Sequence, residues 1–212
     1  MAAVRHITPT VLLPVKGFEH AKERLAERLS EAERWDLART MAERVVRAAG
    51  PLPTWIVCDN DEVAQWAQDV GVGVLRVDAK GLNPSVTEAT QRLLGRRGAA
   101  GGDAAAPTHV VIAHADLPRA ETLDGLAEAG TVTIVPDRHL DGTNVLSLPL
   151  GTGFEFHYGP GSFAAHCEEA LRRGLDLRVC RVPALEWDID TPDDLDALNR
   201  LDAAADRTGR NG

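Results

Sequence analysis

Acidic residues follow two apolar stretches of the chain, and their positions predict a metal site. Asp116 follows the apolar run 110–113 by three residues and comes shortly before Pro118, where a buried strand has to end. Asp188 and Asp190 end a second apolar stretch, and their alternation points both carboxylates to the same side of an extended chain. Ligands of open parallel sheets bind beyond the carboxyl ends of the strands, so these carboxylates suit one or two Mg²⁺ ions. Taken alone, Asp116 or Asp190 fits a helix cap equally well, and only the pairing of the two clusters favours the metal.

Basic residues follow the first apolar segment and suit a triphosphate. Lys16 comes directly after the apolar segment 10–15, and Lys22 and Arg24 follow soon afterwards. Cationic side chains bind phosphate oxygens through charge-assisted hydrogen bonds. The alternative is the solvated face of a helix, but Lys16 lies in a loop beside an apolar strand, which favours a functional role for that residue.

Two glycine-containing segments have the character of anion sites. Residues 142–144 (Gly-Thr-Asn) combine close backbone approach with a hydroxyl group, and residues 159–162 (Gly-Pro-Gly-Ser) precede a predicted helix whose first N–H groups attract anions. An ordinary turn and a plain serine cap are the alternatives. The sequence contains neither the Walker pattern nor a G-x-G-x-x-G after the first strand, which argues against a P-loop kinase or a dinucleotide dehydrogenase.

Composition indicates a soluble globular protein of the cytoplasm that does not bind nucleic acid or membranes. The 212 residues carry a formal net charge of −9, whereas a nucleic-acid surface needs a basic patch. The three cysteines are far apart and odd in number, which is typical of reduced thiols. The sequence shows neither a secretion signal nor an apolar run of membrane-spanning length, so we expect a cytoplasmic protein.

Strands alternate with helices through most of the chain, which predicts an α/β fold with a mainly parallel sheet flanked by helices. We expect a single domain over residues 1–204 and a disordered tail over 205–212. The predicted strands lie at 10–15, 54–58, 72–77, 110–113, 131–135, 144–148 and 175–182. Helices are predicted at 20–29, from 30 to about 50, at 62–69, from Asn83 as N-cap, at 121–129, at 163–173 and from 191 to about 203.

A series of short motifs resembles the guanylyltransferases of coenzyme F420 biosynthesis, which act on phosphoenolpyruvate or 2-phospholactate. Each motif is modest alone, but the series covers nearly the whole chain in the right order. The motifs are Pro14-Val15-Lys16, Ala21-Lys22-x-Arg24-Leu25, Ser30-x-Ala32-Glu33-Arg34, Gly81-Leu82-Asn83, Ala115-Asp116-Leu117-Pro118, Pro136-Asp137-Arg138-His139, Gly142-Thr143-Asn144, Phe156-x-x-Gly159-Pro160-Gly161-Ser162-Phe163 and Asp188-Ile189-Asp190-Thr191-Pro192.

The resemblance implies a nucleotidyltransferase fold of the glycosyltransferase-A (Rossmann-like) type that uses GTP and Mg²⁺. It assigns the metal to Asp116, Asp188 and Asp190, and the three-carbon acceptor to Thr143, Gly159 and Ser162. It assigns the nucleotide to Lys16, Lys22, Arg24 and Asn83, with Asp116, Lys16 and Arg24 in catalytic roles. One departure is the pair Leu140-Asp141, where the family commonly has Gly-Thr, because it adds bulk and negative charge near an anionic acceptor.

The predicted reaction is transfer of GMP from GTP to phosphoenolpyruvate, giving enolpyruvyl-diphospho-guanosine for a downstream F420 transferase. The same reaction with 2-phospho-L-lactate or 3-phosphoglycerate is the nearest alternative. A cytidylyl- or molybdopterin-type enzyme would open with a G-x-G-x-R loop, which Pro14-Val15-Lys16-Gly17 does not match. A non-catalytic nucleotide-binding module is the alternative from another class, against which the retention of all three acidic positions argues.

Overall fold

A computed structural model describes residues 7–99 and 107–209 and contains one seven-stranded sheet with helices on both faces. The strands are β1 (Pro9–Pro14), β2 (Thr54–Cys58), β3 (Gly73–Arg76), β4 (His109–Ala113), β5 (Thr131–Pro136), β6 (Thr143–Pro149) and β7 (Asp176–Val179). The helices are α1 (Glu31–Ala48), α2 (Asp61–Asp69), α3 (Leu82–Ala99), α4 (Ser162–Arg172) and α5 (Pro192–Gly209). No helix among the described residues is long and apolar enough to cross a membrane.

The strand order is β3-β2-β1-β4-β6-β5-β7, and β6 runs antiparallel to both of its neighbours. The remaining pairs are parallel, so the predicted α/β fold with a mainly parallel sheet is confirmed. Because β6 is reversed, its first residues lie at the edge where β1 and β4 end. Val145 pairs with Ala113 there, which brings the segment 142–144 beside the end of β4.

The central strand β4 is buried along its whole length because helices cover both faces of the sheet. Its side chains alternate between two apolar clusters. Val111 packs with α1 and α2 on one face, whereas Val110 and Ile112 pack with α3 and α4 on the other. This packing fixes the point at which β4 leaves the core and the chain reaches Asp116.

Two predicted helices are wrong. Residues 20–29 form no continuous helix but short 3₁₀ turns at Phe18–His20 and Glu23–Leu25, and residues 121–129 form turns. The predicted cap at Asn83 is also wrong, because α3 already begins at Leu82. The predicted loop at 95–107 is partly helical, since α3 continues to Ala99, and residues 100–106 lie outside the described part. Helix α5 continues to Gly209 and so includes part of the segment predicted to be a disordered tail.

Candidate functional site

A cleft of about 1140 Å³ opens at the carboxyl ends of β1, β2 and β4. It is the position at which ligands bind in open α/β sheets. Five of the residues predicted to carry function line it, namely Lys16, Lys22, Arg24, Asp116 and Asp190. The structure therefore brings together side chains from the first loop, the end of β4 and the segment before α5.

Asp116 is held at the cleft by the residues on either side of it. The backbone N–H of His114 donates to the carbonyl of Asn144 at 2.9 Å, which extends the β4–β6 pairing past the strand end. Leu117 is fully buried in the core. With its neighbours fixed in this way, the Asp116 carboxylate lies at the cleft wall.

Asp188 and Asp190 are positioned by the fully buried Ile189 between them. The backbone N–H groups of Asp190 and Thr191 both donate to the Asp194 carboxylate, at 3.0 and 2.7 Å, and this fixes the turn that starts α5. Burial raises the pKa of Asp188, and the negative charges of Asp116 and Asp190 raise it further. The three carboxylates therefore lie close enough together to repel one another.

Lys22 lies between two of these carboxylates. Its Nζ is 2.6 Å from Oδ2 of Asp116 and 2.9 Å from Oδ1 of Asp190. Burial of the ammonium group opposes its charge, but the two carboxylates outweigh burial and raise the pKa of Lys22. Lys22 also has a positive φ of 56°, between the two 3₁₀ turns. Its ammonium group thus occupies the position at which a cation would balance the acidic cluster.

The donor set suits Mg²⁺, but the carboxylates are not yet arranged around an ion. Within residues 7–99 and 107–209, no group of three His, Cys, Asp or Glu side chains is arranged to hold a metal. Oδ1 of Asp116 is nevertheless buried without a hydrogen-bond partner among the described residues. An unpartnered buried carboxylate oxygen beside two further carboxylates is the environment that a hard cation satisfies.

The three predicted acceptor residues lie outside the main cleft lining, around the start of α4. Thr143 and Ser162 are 1% and 2% exposed, and Gly159 is exposed in the loop before the helix. The N–H of His157 donates to Nε2 of His166 at 2.9 Å, so the proton of the neutral His166 ring is on Nδ1. Nδ1 then donates to the Thr143 hydroxyl at 3.0 Å, which leaves the hydroxyl proton for another acceptor. Burial lowers the pKa of His166 to about 4 and keeps the ring neutral.

The departure at Leu140-Asp141 sits directly against the loop before α4. Leu140 adopts a φ of 61°, a conformation that favours the glycine common in the family. The Asp141 carboxylate accepts a hydrogen bond from the Gly161 N–H at 3.2 Å, and its carbonyl accepts one from Phe163 at 2.9 Å. The Asp141 carboxylate, whose negative charge was predicted to lie near the acceptor, therefore accepts a hydrogen bond from the segment 159–162 itself.

Asn83, predicted to face the nucleotide, uses its amide inside the protein. Oδ1 accepts from the Tyr158 N–H at 2.7 Å, and Nδ2 donates to the Tyr158 carbonyl at 3.0 Å. The side chain therefore ties the start of α3 to the segment before α4. Its contact with a nucleotide stays a prediction.

Sequence reasoning missed one residue of the cleft, His114. His114 lines the cleft, and the centroid of its ring is 5.4 Å from that of Tyr158. Its position two residues before Asp116 was the available signal, but a histidine at a strand end is more often structural.

Proteins named phosphoenolpyruvate guanylyltransferase are similar to this chain over most of its length. The one from Rubrobacter xylanophilus is 36% identical over 88% of this chain and 91% of its own length. The one from Sphaerobacter thermophilus is 35% identical over 91% of this chain and 93% of its own. A 2-phospho-L-lactate guanylyltransferase from Methanocaldococcus jannaschii is 29% identical over 87% of this chain and 80% of its own.

The fold agrees with these similarities. The structure of a nucleotidyl transferase from Methanothermobacter matches with a TM-score of 0.58 and 17% identity over 90% of this chain and 95% of that one. The family model described as guanylyl transferase CofC like matches residues 9–200, which include every strand of the sheet and all the predicted site residues. With its sheet, its cleft and its acidic cluster all inside that match, the chain belongs to the CofC-like guanylyl transferase family of nucleotidyltransferase enzymes.

Proposed function

We propose that this protein transfers the GMP moiety of GTP to phosphoenolpyruvate and releases pyrophosphate and enolpyruvyl-diphospho-guanosine. The observation that carries the proposal is the contact of Lys22 with Asp116 and Asp190 in the cleft of a guanylyl transferase family member. Two relatives named for phosphoenolpyruvate are 36% and 35% identical to the chain, and one named for 2-phospho-L-lactate is 29% identical. This difference supports phosphoenolpyruvate over 2-phospho-L-lactate as the acceptor.

The chemistry is an in-line displacement at phosphorus. A phosphate oxygen of the acceptor forms a bond to the α-phosphorus of GTP, and the bond from that phosphorus to the oxygen shared with the β-phosphate breaks. Pyrophosphate carries away the electron pair, so no covalent enzyme intermediate is needed. Lys16 and Arg24, exposed at the cleft, would bind the triphosphate and stabilise charge on the leaving group.

The remaining predicted residues divide between the two substrates. Thr143, with its free hydroxyl proton, would donate to the acceptor, together with Ser162 and the exposed backbone of Gly159. Lys22 would reach the triphosphate once it leaves the carboxylates, and Asn83, in the first turn of α3, would face the nucleotide.

Asp116, Asp188 and Asp190 would hold Mg²⁺. Oxygen donors, the unpartnered Oδ1 of Asp116, and the burial and repulsion by Asp116 and Asp190 that raise the pKa of Asp188 all favour such an ion. When bound, Mg²⁺ neutralises phosphate charge and aligns the attacking and leaving oxygens. Lys22 would have to move away from Asp116 and Asp190 to make room.

The product places the protein before a second transferase. It joins the acceptor to GMP through a diphosphate, whose cleavage would drive transfer of the three-carbon unit to a deazaflavin alcohol. We therefore propose GTP and a three-carbon phosphate as ligands, a downstream F420 transferase as a functional partner, and the cytoplasm as the location.

The test is pyrophosphate release from GTP and Mg²⁺ with one acceptor at a time, with the downstream transferase and its deazaflavin substrate present to consume the product. We expect release with phosphoenolpyruvate. Release only with 2-phospho-L-lactate or 3-phosphoglycerate would preserve the reaction and change the acceptor. GTP binding without release for any acceptor would instead indicate a non-catalytic nucleotide-binding module.

Asp116→Asn tests the acidic cluster. Loss of a charge that stabilises the transition state should lower turnover by about 100- to 1000-fold. Asp193→Asn, at an exposed carboxylate in the first turn of α5, is the matched control and should keep normal turnover. Near-normal turnover of Asp116→Asn, with an unchanged melting temperature, would remove Asp116 from the mechanism.

A further inference from the structure

Arg138, in the loop after β5, reaches across to the first turn of α5. Its guanidinium group donates to Oδ1 of Asp194 and lies over the ring of Trp187, with Cζ 4.4 Å from the ring centroid. The side chains of Arg138 and Asp194 are only 21% and 10% exposed. A planar guanidinium group that is held by a carboxylate and by an aromatic face has a fixed orientation. Arg138 is therefore a rigid link between this loop and α5.

The two carboxylate oxygens of Asp194 have different partners. Oδ1 accepts from Arg138, whereas Oδ2 accepts from the N–H groups of Asp190 and Thr191 at 3.0 and 2.7 Å. The bonds between Thr191 and Asp194 form a capping box, which can begin a helix without an arginine. The bond from the N–H of Asp190 is additional, and it depends on the direction in which Oδ2 points. By holding Oδ1, Arg138 sets that direction.

Two further hydrogen bonds join the loop between β5 and β6 to the segment that precedes the acidic pair. The backbone N–H of Arg138 donates to the carbonyl of Glu186 at 2.9 Å. The side-chain amide of Asn144 donates to the carbonyl of Leu185 at 3.0 Å, and both of these residues are buried. The position of Arg138 relative to the segment 185–190 is therefore fixed at the backbone as well as at the side chain.

We propose that Arg138 is a positioning residue for the magnesium site and that, through Asp194, it holds Asp190 in place beside Asp116. The inference rests on the proposed function, in which these two aspartates and Asp188 hold Mg²⁺. Lys22 has to leave Asp116 and Asp190 when the ion binds, so it cannot position them in the loaded protein. The hold of Asp194 on the Asp190 backbone does not involve the metal-binding oxygens and can persist with the ion bound.

Arg138→Met tests the proposal through the affinity for Mg²⁺. Loss of a group that orients a metal ligand from outside lowers metal affinity by about 10- to 100-fold. We expect titration calorimetry with Mg²⁺ alone to show a dissociation constant raised by that factor. Arg138→Lys keeps the charge but not the planar group, so its dissociation constant should lie between those of the wild type and Arg138→Met. Arg200→Met, at an exposed arginine of α5, is the matched control and should bind Mg²⁺ like the wild type.

The melting temperature in EDTA separates positioning from a purely structural role. A structural role for Arg138 would lower the melting temperature of the variant but leave its dissociation constant for Mg²⁺ unchanged at a temperature where both proteins are folded. That result would overturn the inference. If Arg138→Met does not fold, Arg138→Lys takes its place, and an affinity equal to that of the wild type would again overturn it.

A double-mutant cycle tests whether Arg138 acts through Asp194. Asp194→Asn should also weaken Mg²⁺ binding, because it removes the charge that Arg138 holds. If the two residues act in series, Arg138→Met should weaken binding no further once Asp194→Asn is present. Independent effects that multiply in the double variant would overturn the route through Asp194.

These binding measurements also separate the inference from the proposed reaction. Mg²⁺ binding by the wild type without pyrophosphate release for any acceptor would refute the reaction, and the relative affinities of the variants would still decide the role of Arg138. Pyrophosphate release with equal Mg²⁺ affinity in wild type and Arg138→Met would support the reaction and overturn the inference. A wild type that binds no Mg²⁺ would overturn the inference together with the metal assignment.

Discussion

Replacing Lys22 by Met should make the stability of the protein depend on Mg²⁺ far more than it does in the wild type. The ammonium group lies 2.6 Å from Asp116 and 2.9 Å from Asp190, and its side chain is only 10% exposed. Met keeps most of the length and apolar stem of the side chain but removes the charge. Asp116 and Asp190 then lose the ammonium group that pairs with them, and a bound metal ion could replace its charge.

The expected loss of unfolding free energy in Lys22→Met depends on how exposed Lys22 and its carboxylate partners are. Removing one member of a buried ion pair costs about 3–5 kcal/mol of unfolding free energy. Asp190 is 51% exposed, so water screens part of the resulting repulsion, and we expect roughly 2 kcal/mol in the presence of EDTA. At a Mg²⁺ concentration about 100 times its dissociation constant, binding adds about 2.7 kcal/mol to the variant. The wild type gains less because the ion first has to displace Lys22.

Urea unfolding in EDTA and in MgCl₂, at matched ionic strength, measures both the stability that Lys22→Met loses and the stability that Mg²⁺ restores. The difference between wild type and Lys22→Met should shrink from roughly 2 kcal/mol towards zero as Mg²⁺ saturates the site. Lys80→Met is the matched control, because Lys80 also lines the cleft but pairs with Asp59 from a side chain that is 79% exposed. We expect this control to behave like the wild type in both buffers.

Equal stabilisation of wild type and Lys22→Met by Mg²⁺ would refute the reasoning. It would mean that the ion and the ammonium group do not compete for the same carboxylates. Weaker stabilisation of the variant than of the wild type by Mg²⁺ would also refute it, and would show that Lys22 assists metal binding.

Two further predictions concern the acceptor side of the site. His166 has a pKa of about 4 against 6.5 for the free side chain, so between these pH values the unfolded chain binds a proton that the folded one does not, and stability falls as pH is lowered. The loss of unfolding free energy amounts to roughly 3 kcal/mol between pH 6.5 and 4. Urea unfolding across this range should show a shallower pH dependence for His166→Gln than for the wild type. An unchanged pH dependence would contradict a neutral, buried His166. Asp141→Thr removes a negative charge and frees the Gly161 N–H, so the acceptor KM should fall about two- to fivefold at low salt, whereas a rise would show that the carboxylate positions the loop.

The position of the acidic residues could be predicted because it follows from local pattern. An apolar run that stops at Asp116 fits a strand buried on both faces, and the structure ends β4 at Ala113. The alternation around Ile189 likewise places that side chain in the core and the two flanking carboxylates outside it. The two short patterns indicated a common site, although Asp188 and Asp190 end no strand: they lie in the segment between β7, which ends at Val179, and α5, which begins at Pro192.

The segment that carries Lys22 could not be predicted in the same way. Ala21, Leu25 and Leu29 are spaced as on a helix, and the sequence indicated one over 20–29. Instead, Leu25 packs with Met41 and Ile189, while Lys22 takes a positive φ that a regular helix excludes. Tertiary contacts outweighed helical spacing, because a short helix has little stability of its own.

Because local spacing does not encode tertiary contacts, the acidic cluster was predictable from the sequence and its hydrogen-bond partners were not. The bonds of Lys22 join residues separated by 94 and 168 positions along the chain, and Asn83 and Tyr158 are 75 apart. No periodicity or spacing encodes such pairs, because they exist only after the sheet has brought the loops together. The carboxylates proposed to hold Mg²⁺ follow from local sequence pattern, whereas the groups around the acceptor depend on which loops meet above the edge of the sheet. We therefore expect acceptor choice to change with Asp141, which accepts a hydrogen bond from the loop before α4, rather than with the three carboxylates.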